Sequence, residues 1–196
     1  MASNAVASNA HSVKLGGCVT FPESSEEEIL IDDSGWGDLI LGVVIGVLRR
    51  PSGDYMERRI PVIFFQPPRF ERKEYLDRAV DVIKEAIDVM RPSRLAVFRV
   101  CSGYILSGVR KYLKEQGFSV KVTKVIGELQ ERVERGYLNW CREVGVPSKV
   151  LQIESGENRF WALLNWVKEK PELREGLVKT GWKSWREKWR DFVYEE

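Results

Sequence analysis

The chain is predicted to fold as one α/β domain built on a mixed sheet of five strands, with helices at its C-terminus. Three observations predict this class: β-type apolar runs come first, short turns join the first three runs, and amphipathic helices alternate with strands afterwards. A chain of 196 residues with 43% hydrophobic content can bury one core without disulfide or metal support.

The first three strands are predicted at 28–31, 39–48 and 55–65, where apolar and β-branched residues concentrate. Turns rich in Gly, Asp, Ser and Pro separate the three runs, so we expect an antiparallel meander. Pro61 lies inside the third run. Because proline cannot donate to a strand ladder, it favours an edge strand or a bulge.

Helices and strands alternate after the meander. An apolar stripe through 75–90 with charged residues opposite predicts a helix, which Pro92 ends. The pattern then predicts strand, helix, strand and helix in that order, at 95–100, 104–116, 118–126 and 128–144.

Three regions are predicted along the chain. Residues 1–25 are small and polar and are expected to form a flexible leader. The α/β core is expected at 26–150, with a further short strand at 149–153. Residues 151–196 are expected to form a Trp-rich helical extension that packs on the core, broken at Pro171, Gly176 and Gly181.

Composition excludes several classes of function. The apolar runs are too short to cross a bilayer, so no membrane association is expected, and the N-terminus lacks the pattern of a secretory signal, which predicts a cytoplasmic location. Three widely spaced cysteines and one histidine argue against a Cys/His zinc site. The net charge of +2 means that any basic binding site must be local.

Two segments and the order of elements resemble the ribonuclease H-like superfamily, which includes ribonucleases H, Holliday-junction resolvases, transposases and Argonaute slicer domains. The segment Leu30-Ile31-Asp32-Asp33-Ser34-Gly35 is similar to that superfamily's first strand, which carries an aspartate near its end. The resemblance covers roughly 28–145.

The resemblance implies a site for Mg²⁺ or Mn²⁺ that is built from carboxylates of separate elements. Asp32, Asp33, Glu128 and Glu131 are the candidate catalytic residues, with Asp32, Glu128 and Glu131 as candidate metal ligands. Cys101 stands where many members carry a second acid, and a cysteine is a poor ligand for Mg²⁺.

Each of these acids also has a structural interpretation. Asp32 and Asp33 precede Ser-Gly, where aspartate commonly caps a turn. Glu128 lies in the first turn of a predicted helix, where the helix dipole favours an acid, and Glu131 has arginines nearby with which to pair in solvent. The sequence leaves both interpretations open.

The C-terminal segment combines aromatic and basic residues at helical spacing. Trp182, Lys183, Arg186 and Arg190 are candidate contacts to nucleic acid, through base stacking and phosphate binding. The alternatives are a surface for a protein partner or a second copy of the chain, and ordinary packing of the tryptophans on the domain.

The residues favour two functions over a third, a small-molecule enzyme, for which no group of residues argues. The first is a metal-dependent nuclease, or a related phosphoryl-transfer enzyme, that acts on DNA or RNA. The second is a non-catalytic ribonuclease H-like module that binds nucleic acid or a protein partner, which the cysteine at position 101 favours.

Overall fold

The computed structural model describes residues 26–154 and 156–195 and is built around one mixed sheet. The sheet has the strand order β3-β2-β1-β4-β5. Its strands are β1 (Glu28–Ser34), β2 (Val43–Arg50), β3 (Tyr55–Ile60), β4 (Val97–Cys101) and β5 (Ser119–Thr123). β2 is antiparallel to β1 and β3, whereas β4 is parallel to β1 and β5. The predicted fold class is confirmed: the structure is α/β with a mixed sheet of five strands.

Seven α-helical segments follow or cover these strands in the described part of the chain. The long helices of the core are α1 (Glu74–Met90), α2 (Ser107–Glu115) and α3 (Glu128–Glu143). The C-terminal segment contains α4 (Ser148–Leu151), α5 (Glu157–Lys168), α6 (Pro171–Arg174) and α7 (Arg190–Tyr194), with a π-helical turn at Trp185–Trp189.

Two sequence predictions need correction. The strand expected at 149–153 is wrong, because Ser148–Leu151 forms the short helix α4. The third strand ends at Ile60 rather than at residue 65, because Pro61 removes a ladder donor and a 3₁₀ turn follows at Val62–Phe65. β3, the strand that ends just before Pro61, lies at the edge of the sheet, as the proline predicted.

Alternating side chains of β1 bury against two different layers. Ile29 and Ile31 belong to the apolar cluster that includes α1 and α2, whereas Leu30 belongs to the cluster that includes α3. Since strand side chains alternate between faces, Asp32 and Ser34 lie on the α3 side of the sheet. The end of the central strand therefore carries buried polar groups on the α3 side of the sheet.

The C-terminal segment shares the α3-side cluster, with Trp166, Trp185 and Val193 buried there. It is also joined to the chain between β1 and β2 through backbone hydrogen bonds. Leu41 donates to the carbonyl of Leu177 at 2.7 Å, and Lys179 donates to the carbonyl of Leu39 at 3.0 Å.

The predicted leader at 1–25 lies outside the described residues. Among the helices that the structure describes, every one is too short or too polar to span a bilayer.

Candidate metal centre

Asp32, Asp33 and Cys101 meet at the ends of β1 and β4. Ile31 pairs with Val100 in the parallel ladder, so the residues that follow them, Asp32 and Cys101, lie side by side near the ends of their strands. One carboxylate oxygen from each aspartate and the sulfur of Cys101 lie within 4.8 Å of one another. The carboxyl ends of parallel strands are where α/β sheets commonly bind ligands.

Burial dominates the electrostatics of the two aspartates. Asp32 is only 6% exposed, and burial raises its pKa, although hydrogen bonds from the Cys101 thiol and the Asp33 backbone oppose the rise. Burial and the charge of Asp32 raise the pKa of Asp33 to about 7, against the effect of Lys179 and Arg110. Two neighbouring carboxylates are thus held where their negative charge is poorly solvated.

Cys101 is a hydrogen-bond donor in this arrangement. Burial raises the pKa of its thiol, and the charges of Asp32 and Asp33 raise it further, against a hydrogen bond with the backbone of Gly103. The sulfur is therefore protonated at neutral pH and donates to the carboxylate of Asp32.

The aspartates open into a cavity of about 420 Å³ between the end of β1, α3 and the start of α5. Its charged lining residues are Asp32, Asp33, Asp38, Lys124, Glu134 and Arg159. Lys124 is exposed at the rim, whereas the guanidinium of Arg159 is buried.

Arg159 forms a buried network with two acids of the cavity. Its Nε and Nη2 donate to the two carboxylate oxygens of Asp38 at 2.8 and 2.7 Å, and its Nη1 donates to Oε1 of Glu134. The other oxygen of Glu134 accepts from the hydroxyl of Ser34 at 2.6 Å. These contacts connect α5 and α3 to the residue that follows Asp33.

Lys179 lies under the loop that follows β1. Its side chain is fully buried, and its Nζ donates to the carbonyl oxygens of Gly35, Trp36 and Asp38, the last two at 3.2 and 2.8 Å. Burial lowers the pKa of Lys179 to about 7, opposed by the charges of Asp38 and Asp33. The C-terminal segment therefore determines the shape of this loop.

The structure does not bring Glu128 or Glu131 to the two aspartates. Glu128 pairs with Arg132 at 2.7 Å and shares a surface depression with Glu28, at the opposite end of β1. Asp32 lies four residues further along the strand, which corresponds to about 13 Å. The cavity is lined by Val125 before α3 and by Gln130, Val133 and Glu134 within it, whereas the first residue of the helix, Glu128, lies outside the lining.

Glu131 is exposed and is absent from the cavity lining. Glu134, one helical turn further along α3, is the acid of that helix that reaches the cavity. Sequence analysis did not select Glu134, Asp38, Arg159 or Lys179. The alternation of side chains along β1 predicts that Ser34 and Asp32 lie on the same face of the sheet. No local pattern predicts that Ser34 donates to Glu134.

The four candidate nucleic-acid contacts have different environments. Lys183 and Arg186 are exposed and border a depression that also contains Phe70 and Lys73. The ring of Trp182 is half-buried, with the ammonium of Lys179 at 5.3 Å from its centroid. Arg190 is paired with Glu175 at 3.0 Å. Lys183 is also paired, with Glu187 at 3.4 Å in the same depression, so Arg186 is the best placed of the four residues to meet phosphate.

An aromatic pair separates that depression from the cavity at Asp32 and Asp33. Trp36 lines the cavity, Tyr75 lines the depression, and their ring centroids are 5.5 Å apart. The two concave surfaces are therefore neighbours.

Comparison with known proteins gives a fold-level similarity. No family model matches the chain, and no curated protein matches it. Among the solved structures that match is the catalytic core domain of BIV integrase, which is 13% identical over 73% of this chain and 84% of that chain, with a TM-score of 0.35.

Proposed function

We propose that the chain is a divalent-metal-dependent nuclease of ribonuclease H-like type, with Mg²⁺ or Mn²⁺ held by Asp32 and Asp33. One observation carries the proposal: two poorly solvated carboxylates at the end of the central strand lie within 4.8 Å of each other and of the Cys101 sulfur, and face a cavity. Such a pair has little reason to be buried together unless a cation compensates its charge.

The donor set fits a divalent cation. Carboxylate oxygens are the ligands that Mg²⁺ and Mn²⁺ prefer, whereas the sulfur of Cys101 is a softer donor that suits Mg²⁺ poorly. Mn²⁺ is therefore the better fit of the two. When bound in such a site, a divalent cation activates water and stabilises the leaving oxygen of a phosphodiester.

The chain's own residues would bind and orient the nucleic acid. Lys124 is an exposed cation on the cavity wall, in position to pair with a phosphate next to the site. Lys183 and Arg186 offer two further cations beyond the Trp36–Tyr75 pair. A nucleic acid whose phosphates contact Lys124, Lys183 and Arg186 would bind less tightly as the salt concentration rises, because phosphate contacts release counterions.

Titration with Mn²⁺ tests the metal site directly. The wild-type chain is expected to bind Mn²⁺ in calorimetry and to cleave at least one member of a panel of DNA, RNA and branched substrates. Asp32→Asn and Asp33→Asn are expected to abolish both. Asp54→Asn removes an exposed acid of the β2–β3 turn and is the matched control.

Glu128→Gln and Glu131→Gln test the ligand set that the sequence resemblance implied. With Asp32 and Asp33 as the ligands, both variants are expected to bind Mn²⁺ as the wild type does. Loss of Mn²⁺ binding in either variant would show that the ligand set proposed here is wrong. Undiminished cleavage by Asp32→Asn would refute the proposed nuclease activity.

A second candidate function is a non-catalytic module that binds nucleic acid. The observation that favours it is the thiol of Cys101, which occupies the position where the resemblance implies a carboxylate. This module would bind oligonucleotides in a salt-dependent manner without cleaving them and without needing Mn²⁺.

A further inference from the structure

We infer that the guanidinium of Arg159 takes the place of a second cation in the cavity, so that the centre holds one divalent ion per chain. The inference rests on the proposed metal site. It further states how many ions that site holds and which residue limits this number. Arg159 acts here as a positioning residue that is contributed by α5.

The first support is that the Arg159 guanidinium is fixed and fully engaged. Its side chain is 3% exposed, and three of its nitrogens donate to the carboxylates of Asp38 and Glu134. Its contact with Asp38 is bidentate, the geometry in which arginine binds carboxylates most strongly. The ring of Tyr137 lies 5.7 Å from the guanidinium carbon and completes the enclosure.

The second support is the number of carboxylate oxygens that remain for metal. Four acids line the cavity, but Arg159 occupies both oxygens of Asp38 and one oxygen of Glu134. Ser34 occupies the other oxygen of Glu134. Only Asp32 and Asp33 are left, together with the thiol of Cys101.

Two divalent ions would need more than this pair provides. Ions of a two-metal site lie about 3.5–4 Å apart and repel each other, so they require both bridging and separate carboxylates. Here Asp38 and Glu134, the acids that would supply the second set, are already bound to a cation that belongs to the protein. Releasing them would leave a buried guanidinium without partners, which is strongly unfavourable.

Counting Mn²⁺ on the full chain tests the inference. Equilibrium binding followed by electron paramagnetic resonance is expected to give one Mn²⁺ per wild-type chain, with the spectrum of an isolated ion. Two ions with a spin-coupled spectrum would overturn the inference and leave the proposed metal site standing. No bound Mn²⁺ would overturn both.

Two variants examine the role of Arg159 itself. Arg159→Gln frees Asp38 and Glu134, so the number of bound ions is expected to rise from one to two. Adding Glu134→Gln to that variant removes one of the freed acids and is expected to return the number to one. A folded Arg159→Gln chain that still binds one ion would contradict the inference; if that variant does not fold, the wild-type count and spectrum decide.

Discussion

The thiol of Cys101 donates a hydrogen bond to the carboxylate of Asp32 across two neighbouring parallel strands. The ladder between β1 and β4 places the two residues side by side, one position beyond the Ile31–Val100 pair. A carboxylate at position 101 would face the same point. The chain therefore has a neutral thiol where many members of the superfamily it resembles carry a second acid.

Cys101→Asp is expected to tighten Mg²⁺ binding more than Mn²⁺ binding, because it replaces a soft, neutral donor by a hard, negatively charged one. The gain in Mg²⁺ affinity is expected to be on the order of tenfold, or about 1.4 kcal/mol. Calorimetry with each ion measures it. Cys101→Ser keeps a neutral donor of similar size and is the control; equal gains for both variants would contradict the explanation by charge.

Asp33→Asn is expected to stabilise the metal-free protein at neutral pH. The pKa of Asp33 is raised to about 7 from the ordinary 3.8, so the folded chain holds a proton that the unfolded chain has released between these values. Wild-type stability should therefore fall as pH rises from about 4 to 7, by at most roughly 4 kcal/mol. The asparagine variant should lack this fall.

Urea unfolding at a series of pH values, with a chelator present, measures the effect of Asp33→Asn. The Asp54→Asn control removes an exposed acid and should keep the wild-type pH dependence. If the stability of Asp33→Asn falls between pH 4 and 7 as steeply as that of the wild type, the fall does not come from Asp33, and its pKa in the folded wild type is not raised.

Lys179→Met is expected to destabilise the fold by about 3 kcal/mol, because three carbonyl oxygens of the loop after β1 lose their shared donor. The wild type should also gain stability as pH rises from about 7 to 10, since its folded state releases the Lys179 proton first. The variant should lack that gain. Lys183→Met, an exposed lysine of the same segment, is the control for urea unfolding, and equal losses would refute the role of Lys179.

Replacing Lys183 and Arg186 together by alanine is expected to weaken oligonucleotide binding and to reduce its salt dependence by one to two phosphate contacts, about 0.7–0.9 per contact in the logarithmic slope. Fluorescence anisotropy at several salt concentrations measures both quantities. The control removes Lys111 and Lys114, two exposed lysines of α2. Equal weakening by both pairs would mean that only net charge matters.

Local patterns were sufficient to predict the sheet and its class. β1 and α1 follow directly from apolar runs and helical periodicity, and Pro61 correctly indicated an edge strand. The error at 149–153 has a simple cause: Val150 and Leu151 are buried, but an apolar run that short is equally compatible with a helical turn.

The surroundings of the site depend on contacts that no local pattern carries. Asp32, Asp33 and Cys101 could be named from the sequence because each lies near the end of a strand. Arg159 reaches Asp38 across 121 positions, and this contact depends on how α5 packs. Glu128 looked suitable because it begins a helix after β5, but the direction of α3 places that start at the far end of β1.

The contact between Lys179 and Gly35 joins residues that are 144 positions apart. During synthesis the first strand and its two aspartates leave the ribosome long before residue 179 has been added. The loop beyond β1 can therefore reach its final form only late in translation, after the lysine has emerged. Until then the nascent chain would carry its acidic residues without the final form of the cation site that we propose, so the proposed cleavage activity would begin only after residue 179 has been added.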